Sequence, residues 1–503
     1  MLENVFPTSE LKRFSRFQKN AFYEKSVSTN DLDIELKSGW KVKKHKKRNS
    51  IIVKEKSKAD QLESRVWTML YKMGFSYMSG KGGCFLQINP NDEQSPKTQI
   101  DVVAIDDEVG LSIECKSVII EKRLTSFQDV ISKHSNIRQK FSSSVSDQFK
   151  IETKCKRKIS SIIFTWDIHV TENDKKRANE FNVHLFDNNE LQYYESLVEQ
   201  IGPAARYQLF SDLFPGQHIP GLEIRIPALR TKIGKLTYYT FSIKPEYLLK
   251  IAYISHRTKG SKSDIDTYQR MVKKTRLKKI AAYISNNGIF PTNIVININR
   301  KNHVRFDKAE KSGDDVGSLL GYITISATYG CAWVIDGQHR LLAYSGHKNA
   351  NRDYLNVLAF EELPSKKQTD LFIDINNEQK SVKRTLLLEL ASNLEWDSND
   401  PIEKVKAVIT RVILKINEDS NSSLYNRIYT SDEKTTDTKC ISLTSLHDAL
   451  DKRLYIVDEK KGLYGPLWRL SSDDMLIRTK KVIMDWLNTI HDKIGRASCR
   501  ERV

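Results

Sequence analysis

The sequence predicts a mixed α/β protein of the α+β kind whose C-terminal part is helical. Three observations lead to this prediction. Apolar strand patterns alternate with amphipathic helix patterns over residues 51–205, a new group of strand patterns begins at 236–243, and after Lys383 the apolar spacing is mostly helical. The 503 residues also indicate about two to four domains, since a domain commonly has roughly 100–200 residues.

Breaks in the apolar pattern divide the chain into segments. Gly202-Pro203 and the Pro- and Gly-containing stretch 215–221 interrupt the pattern, so a linker is expected there. The expected segments are a basic N-terminal extension (1–50), an αβ domain (51–205), the linker (206–220), a second α+β domain (221–390) and a helical part (391–493). Residues 494–503 resemble a translated sequencing adapter, so we expect the helical part to be truncated.

Each element of the αβ domain follows from its local pattern. Apolar residues recur every three or four positions from Leu62 to Met73 and predict an amphipathic helix that ends at Gly74. Residues 100–105 and 111–117 have the alternation of two strands that flank an acidic turn. The remaining predicted elements are a strand buried on both faces (160–166), a helix (172–181), a strand (183–186) and a helix (190–201).

The second domain is predicted to contain several strands and one basic helix. The predicted strands are 236–243, 294–298, 321–327 and 332–335, and the predicted helix is 269–287.

Positive charge is in excess along the chain. The 81 Lys and Arg against 63 Asp and Glu give a net charge of +18 and an isoelectric point near 9.3. An excess of this size favours a polyanionic partner, nucleic acid first. The densest basic regions are the run Lys41–Arg48 and the basic face of the predicted helix at 273–279. A solvated surface would show the same composition, so both interpretations stay open.

Several classes of protein are disfavoured. None of the six cysteines forms a CxxC pair, which argues against a zinc ribbon and fits reduced thiols in a cytosol. No run of about 18 apolar residues predicts a membrane helix, and the N-terminus lacks the apolar core of a signal peptide. Gly74 and Gly80 are separated by five residues, one too many for a nucleotide P-loop. We therefore expect a cytoplasmic protein without a membrane partner.

Two carboxylates and a lysine lie on the predicted hairpin. Asp101 is in the first strand, and Glu114 and Lys116 are two positions apart in the second, so they share one of its faces. Two carboxylates on one face can bind Mg²⁺ through oxygen, and a lysine can stabilise charge on a scissile phosphate. The spacing predicts a metal site of Asp101 and Glu114 with Lys116 beside it. A solvated Glu–Lys pair is the alternative.

The string Gln99–Ser117 (QIDVVAIDDEVGLSIECKS) resembles the PD-(D/E)xK motif of restriction endonucleases, closest to Mrr-like members. Residues 177–197 are similar to the closing αβα unit of that fold, and Glu63 matches an acidic residue that often completes the metal site. The resemblance implies a Mg²⁺-dependent nuclease domain at 51–205. The catalytic residues that it implies are Asp101, Glu114, Lys116 and Glu63. Glu63 can instead complete a capping box begun by Asp60.

A second motif, Asp336–Arg340 (DGQHR), follows a strand pattern and precedes a helix pattern. Such a turn offers free N–H groups and the positive end of a helix dipole to an anion. Gly337 lets the backbone approach a ligand, Arg340 offers a donor fork suited to phosphate, and His339 can donate a proton. A plain turn in which Asp336 caps the helix and Arg340 is solvated is equally consistent with these residues.

The longer string Trp333–Tyr344 (WVIDGQHRLLAY) resembles the DGQHR-domain proteins of bacterial DNA-modification systems, Dnd-type sulfur-modification regulators among them. Segments 267–296 and 370–390 support it, and the resemblance covers roughly 221–493. It implies a fold like that of ParB and sulfiredoxin, and a pocket for ATP, another nucleotide or DNA. The predicted pocket residues are Asp336, Gly337, Gln338, His339, Arg340, Asn376 and Asn377. Gln338 stands where sulfiredoxin has its reactive Cys, which argues against redox repair.

The two resemblances together predict a bacterial DNA-modification and phage-defence protein. It would be a Mg²⁺-dependent DNA endonuclease fused to a nucleotide- or DNA-binding domain, with DNA and other DNA-modification proteins as partners. The alternative is a non-catalytic DNA-binding regulator of transcription in such a system. The intact Glu114 and Lys116 face favours the nuclease.

Overall fold

The structure is a computed structural model of the chain. The residues that it describes are 1–46, 48–88, 95–122, 127–150, 155–253, 272, 274–298, 304–309, 317–364, 367–368, 370–371, 374–375, 384–430, 435–450, 452–458 and 461–500, with backbone alone at 119–122, 452, 492 and 494–500. The fold is mixed α/β with several sheets and a helical C-terminal part, as predicted.

The N-terminal half contains twelve strands and six helices among the described residues. They are β1 (Leu2–Glu3), β2 (Val5–Pro7), α1 (Thr8–Lys19), β3 (Phe22–Ser28), α2 (Leu32–Lys37), β4 (Lys41–His45), β5 (Asn49–Glu55), α3 (Lys58–Met73), β6 (Tyr77–Ser79), β7 (Cys84–Gln87), β8 (Lys97–Ile100), β9 (Val102–Ile105), β10 (Val109–Lys122), α4 (Phe127–Gln148), β11 (Lys158–Ile168), α5 (Glu172–Glu180), β12 (Val183–Phe186) and α6 (Asn188–Ile201).

A six-stranded mixed sheet lies at the centre of this half, in the order β12-β11-β10-β9-β6-β2. Strand β10 runs parallel to β11 and antiparallel to β9. Strand β11 is covered on both faces, as its apolar run predicted, since the adjacent residues Ile162 and Ile163 point to opposite faces and are both 0% exposed. Helix α3 packs against β10 and ends at Gly74, whose φ of 81° suits glycine. The predicted helix, hairpin and buried strand are therefore confirmed.

Residues 1–46 and 48–50, which the sequence analysis treated as a basic N-terminal extension, form strands and helices that pack against the rest of the chain. Strand β1 pairs with β7, and β2 forms the edge of the six-stranded sheet. Leu2 and Leu11 are 5% and 0% exposed, because β7 and α3 pack against the segments that carry them. Residues 22–55 contain a separate antiparallel sheet, β3-β5-β4. Isolated apolar residues among charged ones have no local period, and only distant elements bury them.

The predicted linker contains a buried helix, α7 (Ala205–Leu213). Leu209 and Phe210 are both 0% exposed, and the Phe210 ring packs edge-on against Tyr329 with centroids 5.3 Å apart. The core of the N-terminal half therefore continues into the second half. The break at Gly202-Pro203 is only a 3₁₀ turn before α7, since proline is compatible with the first turn of a helix.

A buried polar network also joins the two halves. Glu108, in the turn between β9 and β10, accepts hydrogen bonds from Lys250 and, at 3.0 Å, from the Tyr329 hydroxyl. Arg206 Nη1 lies 3.7 Å from Asp106 Oδ2. Burial raises the pKa of Asp106 to about 6, although Arg206 opposes the shift. The turn of the β9–β10 hairpin is therefore anchored to the second half by charged and hydroxyl groups.

The second half is built on an eight-stranded sheet. Its elements are β13 (Ile224–Ile233), β14 (Leu236–Ile243), α8 (Pro245–Ile251), β15 (Ala252–Tyr253), α9 (Lys274–Ser285), β16 (Ile294–Ile298), β17 (Val304–Lys308), β18 (Ser318–Ile325), β19 (Ala332–Asp336), α10 (Gln338–Leu342) and β20 (Leu355–Glu361). The strand order is β15-β19-β16-β20-β14-β13-β18-β17. The strands predicted at 236–243 and 294–298 are confirmed to the residue.

The C-terminal part has its own hydrophobic core. Its elements are α11 (Arg384–Leu394), α12 (Pro401–Glu418), β21 (Ile428–Tyr429), β22 (Ile441–Ser442), α13 (Leu443–Ala449), β23 (Ile456–Asp458), β24 (Leu463–Tyr464) and α14 (Ser472–Arg500). Helix α12 is capped by Asp400, whose side chain accepts from two backbone N–H groups, and begins with Pro401. No helix in the described part of the chain is long and apolar enough to cross a bilayer.

Candidate functional site

The β9–β10 hairpin brings the predicted carboxylates together. Val102 lies opposite Ile113 in the antiparallel register, so Asp101, one residue earlier, lies beside Glu114. Asp101 Oδ2 accepts a hydrogen bond of 2.7 Å from the backbone N–H of Cys115. This bond holds the carboxylate against the strand that carries Glu114. The pairing follows from the hairpin register, which is why the sequence spacing predicted it.

Glu114 is the most deeply buried carboxylate of this cluster, with a side chain 5% exposed. Its Oε1 accepts a 2.6 Å bond from Lys116 Nζ, and its Oε2 accepts a 3.0 Å bond from His134 Nε2. Burial by itself raises the pKa of Glu114, but the bonds from His134 and Lys116 outweigh burial and lower the pKa to about 2. Glu114 is therefore ionised at neutral pH.

Glu63 reaches the cluster from α3. Burial, and then repulsion from Asp101, raises the pKa of Glu63 to about 7. Burial, followed by repulsion from Glu114, also raises the pKa of Asp101. The cap of α3 is formed by Ser57, whose side chain accepts from the Asp60 backbone N–H. The alternative role of Glu63 in a capping box is therefore wrong.

Lys116 is the cation of the cluster, and its side chain is 33% exposed. Burial lowers its pKa, but the hydrogen bond to Glu114 prevails and raises it. Lys116 therefore stays protonated at neutral pH and can stabilise negative charge, but cannot serve as a base. Three carboxylates, those of Glu63, Asp101 and Glu114, face this one ammonium group. The excess negative charge would attract a cation.

Carboxylate oxygens are the ligands that Mg²⁺ prefers, and the donor set of this cluster fits such an ion. The raised pKa values of Glu63 and Asp101 come partly from mutual repulsion, which a divalent cation would relieve. Among the described residues, no group of three or more His, Cys, Asp or Glu side chains has an arrangement that could hold a metal ion. The two hydrogen bonds on Glu114 are consistent with this result, because Lys116 and His134 cover its oxygens.

His134 is a member of the cluster that the sequence analysis missed. It lies on α4 and is 0% exposed. Its Nδ1 has no hydrogen-bond partner in the part of the chain that the structure describes. The residue belongs to the apolar stripe of α4 with Ile131, Ile137 and Phe141. A histidine within an otherwise apolar helical stripe was the one signal that pointed to it.

The DGQHR segment forms the predicted strand-to-helix turn between β19 and α10. Gly337 has φ of 87°, in the left-handed region that favours glycine. A Cβ atom there would lie 2.5 Å from Ile294 Cδ1 and 3.0 Å from Arg340 Nη2. Internal packing therefore accounts for this glycine without any ligand.

Arg340 is bonded inside the protein. Its Nη2 donates to Asp336 Oδ2 at 2.8 Å, and its Nη1 donates to the carbonyl and hydroxyl oxygens of Thr292. Burial lowers its pKa, which Asp336 opposes and the nearby Arg276 reinforces. The alternative turn, in which Asp336 caps the helix and Arg340 is solvated, is wrong: the helix has no side-chain cap and the Arg340 side chain is 15% exposed.

The other predicted pocket residues are described in part. Gln338 and His339 occupy the first turn of α10 and are half-buried. Asn376 and Asn377 lie outside the described residues. A cavity of about 330 Å³ lies nearby and shares Thr292 with the Arg340 contact; Asn287, Asn349 and Asp353 are among its lining residues.

Comparison with known proteins bears on the second half of the chain. No curated protein matches. Among solved structures, protein VC1899 from Vibrio cholerae aligns with 39% of this chain at 14% identity and a TM-score of 0.21. The aligned part is 51% of the length of VC1899. A TM-score this low does not support a shared fold. Residues 226–458 match the model of the DndB family, described as DNA-sulfur modification-associated. The match covers less than half of the chain and shows that this segment is similar to proteins associated with DNA sulfur modification.

Proposed function

We propose that the protein is a metal-dependent DNA endonuclease of a DNA sulfur-modification system, with its active site at the carboxylate–lysine cluster. The observation that carries the proposal is the convergence of Asp101, Glu114 and Lys116 on the β9–β10 hairpin, with Glu63 reaching them from α3. The resemblance to restriction endonucleases rests on the same residues. The DndB match supplies the biological setting but covers only 226–458.

Each residue has a distinct role in this proposal. Asp101 and Glu114 would hold Mg²⁺, which polarises the scissile phosphate and its attacking water. Lys116, kept protonated by Glu114, stabilises the charge that develops on the phosphate. Glu63, which is repelled by Asp101 and Glu114 in the absence of metal, would support the site as the acidic residue that completes it.

A cleavage assay tests the nuclease. Purified protein is incubated with modified and unmodified DNA and Mg²⁺, beside the double variant Asp101→Ala/Lys116→Ala. The control is Asp107→Asn, an exposed carboxylate on the same hairpin. Cleavage by the wild type and the control, but not by the double variant, is expected. Equal cleavage by all three proteins, or none by any, would refute the assignment.

A second candidate is a non-catalytic DNA-binding regulator. The observation in its favour is that Lys116 and His134 cover both oxygens of Glu114, so the cluster can be satisfied without metal. This candidate predicts strongly salt-dependent DNA binding without turnover. Titration with Mn²⁺, read by the loss of its paramagnetic signal in the wild type but not in Asp101→Ala, separates the two functions.

For the DGQHR turn we propose a phosphate-bearing ligand, ATP or another nucleotide, held by residues 336–340 with Asn376 and Asn377. The resemblance to DGQHR-domain proteins and the closeness of Arg276 to Arg340 support this, since two guanidinium groups attract an anion. The ligand must compete with Asp336 and Thr292 for the donors of Arg340. Nucleotide binding by Arg340→Ala therefore tests the proposal.

A further inference from the structure

The small sheet β3-β5-β4 has one covered face and one open face. Register places Val27, Ile52 and Ser50 on the covered face, where they are 9%, 0% and 4% exposed. The opposite face carries Lys41 and Lys44 of the edge strand β4, and both are exposed. Lysines on an edge strand disfavour pairing with a further strand. The side chains of the open face are left exposed for contact with another kind of partner.

The positive charge of this open face is only partly balanced. Two lysines of the same sheet form salt bridges: Lys43 with Glu24 at 2.6 Å and Lys25 with Glu35 at 2.7 Å. Four exposed cations on β4 or between β4 and β5, namely Lys41, Lys44, Lys46 and Arg48, have no salt bridge within the described part of the chain. The register shifts between Val42 and Lys44, which adds Lys43 as an extra residue and lets Lys41 and Lys44 lie on one face.

This basic sheet lies beside the carboxylate cluster. Burial, and then a hydrogen bond to Asp60 and the charge of Glu63, raises the pKa of Tyr23 of β3. Lys56, at the end of β5, donates to Ser64 of α3 at 2.9 Å. The sheet is therefore joined to the first two turns of α3, the helix that carries Glu63 into the cluster.

We propose that the open face of the β3-β5-β4 sheet, with Lys41, Lys44, Lys46 and Arg48, binds the phosphate backbone of double-stranded DNA. This rests on the proposed function for its choice of DNA. Lys41 and Lys44 lie opposite Val53 and Ile51, which are two residues apart on β5, so they are roughly 7 Å apart along the strand. This spacing matches about two steps of 3.4 Å along one DNA strand. The register also places Phe22, Ile51 and Val53 on this face. The proposed contact uses the lysine and arginine side chains, which bind phosphates without reading the base sequence.

The test is equilibrium binding of a fluorescent 30-base-pair duplex in EDTA, where no metal-dependent cleavage occurs. The variant Lys41→Gln/Lys44→Gln/Lys46→Gln is expected to bind about 100-fold more weakly near 0.1 M salt. The slope of log affinity against log salt should fall by about 3, since each phosphate contact contributes about 0.9. Arginine at the same three positions should retain the affinity.

The matched control removes equal charge elsewhere, as Lys232→Gln/Lys235→Gln/Lys481→Gln, all at exposed positions. It should leave affinity and slope almost unchanged. An equal loss in both triple variants, no loss in the first, or a larger loss for an RNA duplex than for DNA would overturn the proposal. The binding assay does not depend on cleavage. The nuclease assignment can therefore be refuted while DNA binding by this face is confirmed.

Discussion

The carboxylate cluster and the DGQHR turn both pair a cation with a carboxylate at a strand of the central sheets, yet their charges are balanced differently. At the turn, Arg340 meets one carboxylate, Asp336, and its remaining bonds go to Thr292. At the cluster, Lys116 faces three carboxylates, two of which have raised pKa values. The residue types alone do not distinguish an ion pair whose charges are balanced from a site with excess negative charge. The neighbouring groups in the folded protein make that distinction.

This difference has a physical meaning. The hydrogen bonds of Arg340 to Asp336 and Thr292 stabilise the local backbone, and an added anion must compete with them. At the cluster, burial and then repulsion from neighbouring carboxylates raise the pKa values of Glu63 and Asp101, and a cation would relieve that repulsion. The cluster is therefore the stronger candidate for metal-dependent chemistry, whereas a ligand at the turn must displace existing bonds.

The largest effect is expected from Glu114→Gln. The substitution keeps the shape of the side chain but removes the charge that holds Lys116 and would bind metal, so DNA cleavage should fall by about 10³-fold or more. The measurement is the single-turnover cleavage rate. Glu180→Gln, at an exposed position of α5, should cleave like the wild type. Retained cleavage in Glu114→Gln would place the chemistry elsewhere.

A smaller effect is expected from Arg340→Ala. If a phosphate uses this arginine, loss of the buried, charge-assisted contact should weaken nucleotide binding roughly 30- to 150-fold, or about 2–3 kcal/mol. Isothermal titration with ATP measures this, and circular dichroism checks the fold. Arg352→Ala, at an exposed position, is the control. Unchanged affinity together with a lowered melting temperature would reduce the turn to a structural clamp.

His134→Gln should have an intermediate effect on cleavage. A side chain that orients a metal-binding carboxylate commonly contributes about 10- to 100-fold. Glutamine can still donate to Glu114 Oε2, so it should retain more activity than His134→Ala. Metal titration of both variants should show weaker metal binding with a smaller change in KM for DNA. Equal loss in the two variants, with lowered thermal stability, would make His134 a packing residue only.

The smallest effect is expected at the hydrogen bond between Tyr329 and Glu108, which joins the N-terminal half to the second half of the chain. Tyr329→Phe removes the hydrogen bond to Glu108, and a net cost of about 1–2 kcal/mol in unfolding free energy is expected because Glu108 is charged and buried. Urea denaturation measures this cost. Tyr354→Phe, at a side chain 63% exposed, is the control. A change in cleavage rate without a change in stability would show that the contact also couples the regions.

Much of the fold was predictable because its signals are local. The strands 183–186, 236–243 and 294–298 were predicted to the residue from short apolar runs. The elements within the segments treated as an N-terminal extension and a linker were not predicted, for the opposite reason. Leu11 is isolated among charged residues and Phe210 follows a Gly-Pro break, and both are buried by elements far along the chain.

The sequence by itself determined many elements after residue 58, the order of the two motifs and the pairing of Asp101 with Glu114, because a hairpin register depends on a dozen neighbouring residues. Only the tertiary structure decided which groups surround them. Glu63 and His134 come from helices on either side of the hairpin, and Thr292 reaches Arg340 from 48 residues away. Side-chain chemistry is carried by the sequence, but charge balance and burial depend on contacts between distant segments, which local patterns do not encode.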